Sequence, residues 1–223
     1  MLVLVVDSAT PAITAAVCAV RPDGDAPAVS VLAERVTVDA RAHGELLAPS
    51  VAGVLADSGH RASDLGAVVA GVGPGPFTGL RVGLVTAAAL ADTLSLPAYG
   101  VCTLDALGAA AGPGRVLVAT DARRREIYWA VYDDGAPVTK PAVGRPAELD
   151  LPPGVAAAAG AGARLYEQVL GLPLTGTPDY PPPAAMARLA AGRALSGAPA
   201  DPLTPLYLRR PDAVPPGARK PAS

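Results

Sequence analysis

Apolar residues fall along the first hundred positions in two alternating patterns. Short runs rich in valine and alanine, "LVLVV" (2–6), "ITAAVCAV" (13–20) and "VSVLAERV" (29–36), are separated by turn formers such as "RPDGDAPA". Runs of this length predict three successive strands in an antiparallel meander. In "HGELLAPSVAGVLADSG", Leu47, Val51, Val54 and Leu55 recur at i, i+4, i+7 and i+8, which predicts a helix over about 43–58. Pro49 inside it is expected to kink the first turn or delay the regular helix. "LGAVVAGV" (65–72) reads as a buried strand, followed by a glycine-rich turn and a helix from about Gly79 to Leu94. "PAYGV" (97–101) is a further strand, and Thr103 is placed to cap a short helix through Ala111.

"AGPG" (111–114) looks like a boundary. Beyond it, "RVLVATDARRREIYWAVYD" reads as strand, polar turn, strand. "GVAAAAGAGA" (154–163) is a small-residue strand candidate leading into a helix, "RLYEQVL". A last helix, "AAMARLAAGRALSG", has Pro183 near its first turn, and the tail 211–223 is expected to be disordered. Residues 2–17 also align with 116–131 at a shift of 114: Asp7 meets Asp121, Ile13 meets Ile127, and Val17 meets Val131. The repeated pattern of strand, carboxylate, turn and strand suggests two related lobes whose carboxylate-bearing strand ends face a shared cleft. The first lobe is expected to span about 1–100 with a returning segment near 184–210, and the second about 101–183.

Composition narrows the function classes. Net charge is −2 over 223 residues, so no global field draws nucleic acid or an anionic membrane. A local patch remains compatible with RNA contact. Two cysteines, Cys18 and Cys102, are too few for a disulfide framework and read as small buried hydrophobes in a reducing compartment. No stretch approaches the roughly 18–20 uninterrupted apolar residues of a membrane span. The chain therefore reads as soluble and cytoplasmic.

The stretch 71–83, "GVGPGPFTGLRVG", holds five glycines and two prolines. It lacks the G-K-[ST] of a phosphate loop, and Pro74 and Pro76 remove two N–H donors that a phosphate cradle would use. A stiff turn that delivers a helix fits better. That helix carries no charge between Arg81 and Asp92, and a helix apolar nearly all round must be covered on more than one side. Its own sheet and a partner subunit are equally good candidates for the cover. Leu47, Val51, Val54, Leu55, Leu80, Leu84, Ala87 and Leu90 are the candidate core or partner contacts, and Ala87→Arg is the corresponding test.

Asp7, Ser8 and Thr10, with Gly73 and Gly75, occupy the positions of a possible vestigial nucleotide site. Ala9 stands where close approach of a phosphate favours glycine. His43 and His60 have no second histidine at metal-ligand spacing, so no metal site is expected. No nucleophile arrangement can be assembled around Ser8, Ser50 or Ser58. "DARRRE" (121–126) supplies a basic turn: a solvated face, or a local contact to RNA phosphate or to a partner's acidic patch.

"LVVDSATPAITAAV", "HGELLAPSV", "GVGPGPFTGLRVGLVTAAAL", "VATDARRREIYWAVYD" and "PLYLRR" (205–210) together resemble the TsaB, or YeaZ-type, family. The resemblance covers most of 2–133 plus 205–210. It implies an α/β, two-lobed fold of the actin-like, Hsp70 and sugar-kinase class (ASKHA, ribonuclease H-like), with duplicated mixed-sheet lobes. It also implies a non-catalytic scaffold, without cofactor, that dimerises with the catalytic subunit TsaD, with the ATPase TsaE docking near the junction. That machinery adds threonylcarbamoyl to the adenosine beside the anticodon of tRNAs reading ANN codons, so tRNA is met indirectly, through the complex. The donor, a threonylcarbamoyl adenylate, comes from TsaC-type enzymes. The family associates through its first two helices, here about 43–58 and 79–94, and the isolated chain is a possible homodimer. TsaD's metal site uses H-x-x-x-H; here Leu47 stands where the second histidine would fall after His43. The rival readings are an active ATPase or small-molecule kinase of the same fold, dependent on Asp7, and a peptidase, which the absent nucleophile and metal patterns disfavour.

Overall fold

The computed structural model describes residues 1–24 and 26–209. β1 (Leu2–Asp7), β2 (Ala12–Arg21) and β3 (Ala28–Val38) form the expected antiparallel meander. On its other side β1 runs parallel to β4 (Leu65–Gly71), and β4 runs parallel to β5 (Ala98–Val101), giving the order β3-β2-β1-β4-β5. Parallel neighbours need crossovers, and helices α1 (His43–Asp57) and α2 (Phe77–Leu94) supply them.

Alternation along β1 decides which layer each residue joins. Leu4 and Val6 face one way, with Ile13, Ala15 and Val17 of β2, and are covered by α1 and α2. Val3 and Val5 face the other way, with Ala16 and Cys18, and are covered by α6 (Pro183–Leu195) through Met186, Ala187, Ala190 and Ala194. β1, β2 and β4 are thus buried on both faces, while the edge strand β3 is largely exposed. Gly192 within α6 has open space where a Cβ would sit. Gly192→Ala is accordingly expected to raise stability by about 0.5–1 kcal/mol, since alanine restricts the unfolded chain and fits the helix; thermal melting would register it.

A second sheet repeats the plan. β6 (Arg115–Asp121) pairs antiparallel with β7 (Ile127–Asp133), which also pairs with β8 (Ala136–Pro137) and β9 (Ala142–Gly144). β6 runs parallel to β10 (Ala157–Ala159), as β1 does to β4. The short helix α3 (Thr103–Gly108) covers one face, with Leu104 and Leu107 against Val116, Val118 and Tyr132. On the other face, Ala163 of α4 (Ala161–Leu165) and Leu170 of α5 (Glu167–Leu170) pack with Leu117, Ile127 and Val131. The 114-residue shift noted in the sequence places β1 on β6 and β2 on β7. Asp7 and Asp121 accordingly end the first strands of the two sheets.

Several local expectations need correction. α1 is helical from His43 onward, with Pro49 at an exposed position inside it. α2 begins at Phe77, two residues earlier than expected, with Pro76 as its N-cap. Thr103 is the first residue of α3 rather than its cap, which is Cys102. Only Ala157–Ala159 of 154–163 is strand, because Gly160 takes φ +93° and starts α4. "RLYEQVL" is divided between α4 and α5 at Tyr166. The tail expected to be disordered, 211–223, lies outside the described residues.

α2, with a mean hydropathy of 1.3 over 18 residues, matches a membrane span in length and composition. Leu80, Leu84, Ala87 and Ala91 are nevertheless committed to the core beneath it. After α6 the chain returns as an extended strap. Asp201 N–H donates to Ala98 O (2.9 Å) and Leu206 N–H to Val72 O (2.8 Å). Arg209 Nη1 donates to Ala122 O (2.9 Å), so the strap touches both sheets' elements.

Candidate functional site at the cleft

The glycine-rich stretch wraps around the turn that ends β1. Each of Gly71, Gly75, Gly79 and Gly83 sits where an added Cβ would meet residues 7–9. At Gly71 it would land on the Asp7 carboxylate, and at Gly75 on the Ala9 backbone. At Gly79 it would lie 2.9 Å from Ser8 O, and at Gly83 2.5 Å from Ser8 Oγ. Close approach to this turn, to its backbone at Gly75 and Gly79 and to its side chains at Gly71 and Gly83, therefore explains these glycines. The clasp is hydrogen-bonded: Ser8 Oγ donates to Gly79 O (2.7 Å) and accepts from Gly83 N–H (2.8 Å). Gly73, at φ +91°, makes the turn, and its carbonyl accepts from Thr103 N–H (2.8 Å).

Asp7 is fully buried. Its Oδ1 accepts from Ala9 N–H (3.0 Å) and its Oδ2 from the Thr103 hydroxyl (2.8 Å). Burial pushes its pKa up to about 6, against the smaller opposing pull of Thr103, Ala9 and His43. Both oxygens are thus engaged within the protein. His43 is also spoken for: its Nε2 donates to Thr10 O (2.8 Å), which fixes the Nε2–H tautomer. Among the described residues no three His, Cys, Asp or Glu side chains converge as a metal would require.

Between the sheets lies a cavity of about 180 Å³, bordered by Ser8, Thr10, His43, Phe77, Thr78, Asp121 and Arg123. The structure therefore gathers Asp7, Ser8, Thr10, Gly73 and Gly75 in one place. Only Ser8 and Thr10 of these face the cavity, while Asp7 lies behind them and Asp121 of the second sheet reaches the rim. Thr103 was missed as the partner of Asp7, because 96 residues separate them and nothing local links them.

The helix residues sort by face. Leu47, Val51, Val54, Leu80, Leu84 and Ala87 are buried inside the chain's own core, with Leu55 and Leu90 packed at its edge. Arg at position 87 would consequently test folding rather than association. The outer faces carry other residues: Ala48, Ala52 and Ala56 on α1, and Val85, Ala88 and Ala89 on α2. Val85 is 66% exposed, a large apolar side chain in open solvent.

Comparison with known proteins bears on these features. Residues 30–173 match the family model described as TsaD: tRNA N6-adenosine threonylcarbamoyltransferase. An uncharacterized protein of Mycobacterium tuberculosis is 50% identical over 213 residues, covering 96% of this chain and 94% of its own. The structure of YeaZ from Pseudomonas aeruginosa superposes with a TM-score of 0.73 at 28% identity, covering 93% of this chain and 99% of that one. The chain belongs to the TsaB, or YeaZ-type, family. The tRNA threonylcarbamoyladenosine biosynthesis protein TsaB of Escherichia coli is 43% identical over 96 residues, 41% of this chain and 42% of its own. For a TsaB-family chain the paired mixed sheets are the ASKHA, ribonuclease H-like architecture that the family resemblance implied.

Proposed function

We propose that this chain takes part in threonylcarbamoyladenosine formation on tRNA as a non-catalytic scaffold. On this reading it dimerises with a TsaD-type catalytic subunit through the outer faces of α1 and α2. The relatives' names support the pathway. The observation that carries the scaffold role is the exposed alanine and valine stripe beside a clasped, fully engaged Asp7. Small outer residues allow two helix pairs to approach closely, and burial of Val85 would reward the contact. The isolated chain is a possible homodimer through the same stripe. A TsaE-type ATPase joins near that junction, and the two lobes keep the boundaries given above.

The test is complex formation with the TsaD-type protein of the same organism, followed by size exclusion with light scattering. A one-to-one complex is expected from a chain that hydrolyses no ATP alone. Val85→Arg should weaken it roughly 30-fold or more, corresponding to about 2 kcal/mol for burying an unpaired charge. Because Val85 is exposed, melting should not change. Wild-type association by the Val85→Arg chain would reject this surface. Magnesium-dependent ATP binding by the isolated chain, lost in Asp7→Ala, would favour the ATPase or kinase reading instead.

A further inference from the structure

The chain's single phenylalanine is not in its core. Phe77, first residue of α2, is 48% exposed and stacks on Tyr207 of the returning strap, 40% exposed, with centroids 5.3 Å apart and planes 25° from parallel. Arg81 completes the cluster. Its guanidinium carbon lies 4.0 Å from the Phe77 centroid, and its Nε donates to Tyr207 Oη (2.7 Å). Aromatic surface in solvent is costly unless something covers it.

A second unusual feature shares this rim. Arg123, Arg124 and Arg125 take φ of +62°, +54° and +63°, three consecutive left-handed residues without a glycine. Each such residue costs roughly 1–2 kcal/mol, so surrounding contacts must hold the turn. Arg123 N–H donates to Asp121 Oδ1 (2.9 Å), Ala122 N–H to Glu126 O (3.0 Å), and Arg209 binds both Ala122 O and the Glu126 carboxylate. Strain held in place this way points to a use for the turn's geometry. Phe77 and Arg123 border the same 180 Å³ cavity. On segments 77–81, 121–126 and 207–209 five arginines stand against two carboxylates, and Asp121 and Glu126 are already paired with Arg123 and Arg209.

We infer that this rim binds an unpaired nucleotide of RNA directly, its base stacked on the Phe77 and Tyr207 pair and its phosphate at the 123–125 turn. Half-exposed aromatic rings beside arginines are the chemistry of single-stranded recognition. A free nucleotide is a poorer fit, because 180 Å³ falls below the roughly 300–1,000 Å³ of small-molecule sites. One unit of a polymer needs only the rim. The inference rests on the proposed role in tRNA modification for its choice of RNA, and it goes beyond indirect contact through the partner.

The experiment is fluorescence anisotropy of a labelled anticodon stem–loop RNA with the full chain. The same RNA annealed to its complement serves as the duplex control. Tighter binding of the loop form is expected. Phe77→Ala should weaken it about tenfold, within the 1–3 kcal/mol of one stacked base, and Arg125→Gln should lower the salt slope by about one. Equal binding of loop and duplex, or no binding, would overturn the site. So would a Phe77→Ala chain that melts normally and keeps wild-type affinity for RNA. If that variant instead lost the TsaD-type partner, the rim would be reassigned to a protein contact. Partner association, measured separately, keeps failure of this site distinct from failure of the scaffold reading.

Discussion

Alanine at position 75 is expected to destabilise the chain by about 3 kcal/mol, at the upper end of what overpacking costs, lowering its melting temperature by roughly 6–12 °C. The added Cβ would land on the backbone of Ala9. A side chain could rotate away, but the 7–9 turn cannot: Ala9 N–H is held by Asp7 Oδ1, and Ser8 Oγ bonds Gly79 O and Gly83 N–H. Relief must come from moving the loop, which shifts the start of α2 at Phe77. Partner association should weaken with it, because α2 carries the outer stripe. Gly192→Ala, with open space around it, provides the opposite sign in the same assay. A Gly75→Ala chain melting within a degree of wild type would mean that the clasp yields freely and does not position α2.

Asn at position 7 should have the second large effect, one that depends on pH. Burial raises the Asp7 pKa from 3.8 to about 6 in the folded chain. Between those values the folded state keeps a proton that the unfolded state has released. Wild-type stability from this group therefore falls as pH rises from about 4 to 6, and stays low above 6. Asparagine removes the charge while keeping an oxygen for Ala9 N–H and an amide for the Thr103 hydroxyl. Asp7→Asn should therefore stabilise the chain by up to about 3 kcal/mol at pH 8, at 1.36 kcal/mol per pKa unit, and by little at pH 4. Denaturant melts at both values would measure it. Destabilisation at pH 8 would show that the ionised carboxylate is needed where it stands, a requirement suited to the nucleotide-enzyme reading rather than to a scaffold.

Much of the fold was legible because strand pattern and turn chemistry are local. The three-stranded meander, the strand at 65–72 and the 114-residue repeat all come from short apolar runs ended by carboxylates or turn formers. The choice between close packing and phosphate binding in 71–83 could be weighed from Pro74 and Pro76 alone. What it packed against could not, since the 7–9 turn lies more than sixty residues away. The inner and outer faces of α2 were not separable either, because Ala87 and Ala88 have the same chemistry and opposite exposure. Nor did the sequence announce the left-handed turn at 123–125, where arginines occupy a conformation usually given to glycine. A separation of 130 residues made Phe77 and Tyr207 invisible as a pair.

The first sheet also has a consequence for synthesis. Its five strands are complete once Val101 has left the ribosome, yet the face formed by Val3, Val5, Ala16 and Cys18 waits for α6, which ends at Leu195. At 5–20 residues per second the intervening stretch takes on the order of ten seconds to make. For that interval a nascent chain carries an uncovered apolar sheet face, within reach of chaperones and of other nascent copies. The second sheet, β6 to β10, is synthesised during the wait, so the sheet that starts first is the one that finishes last.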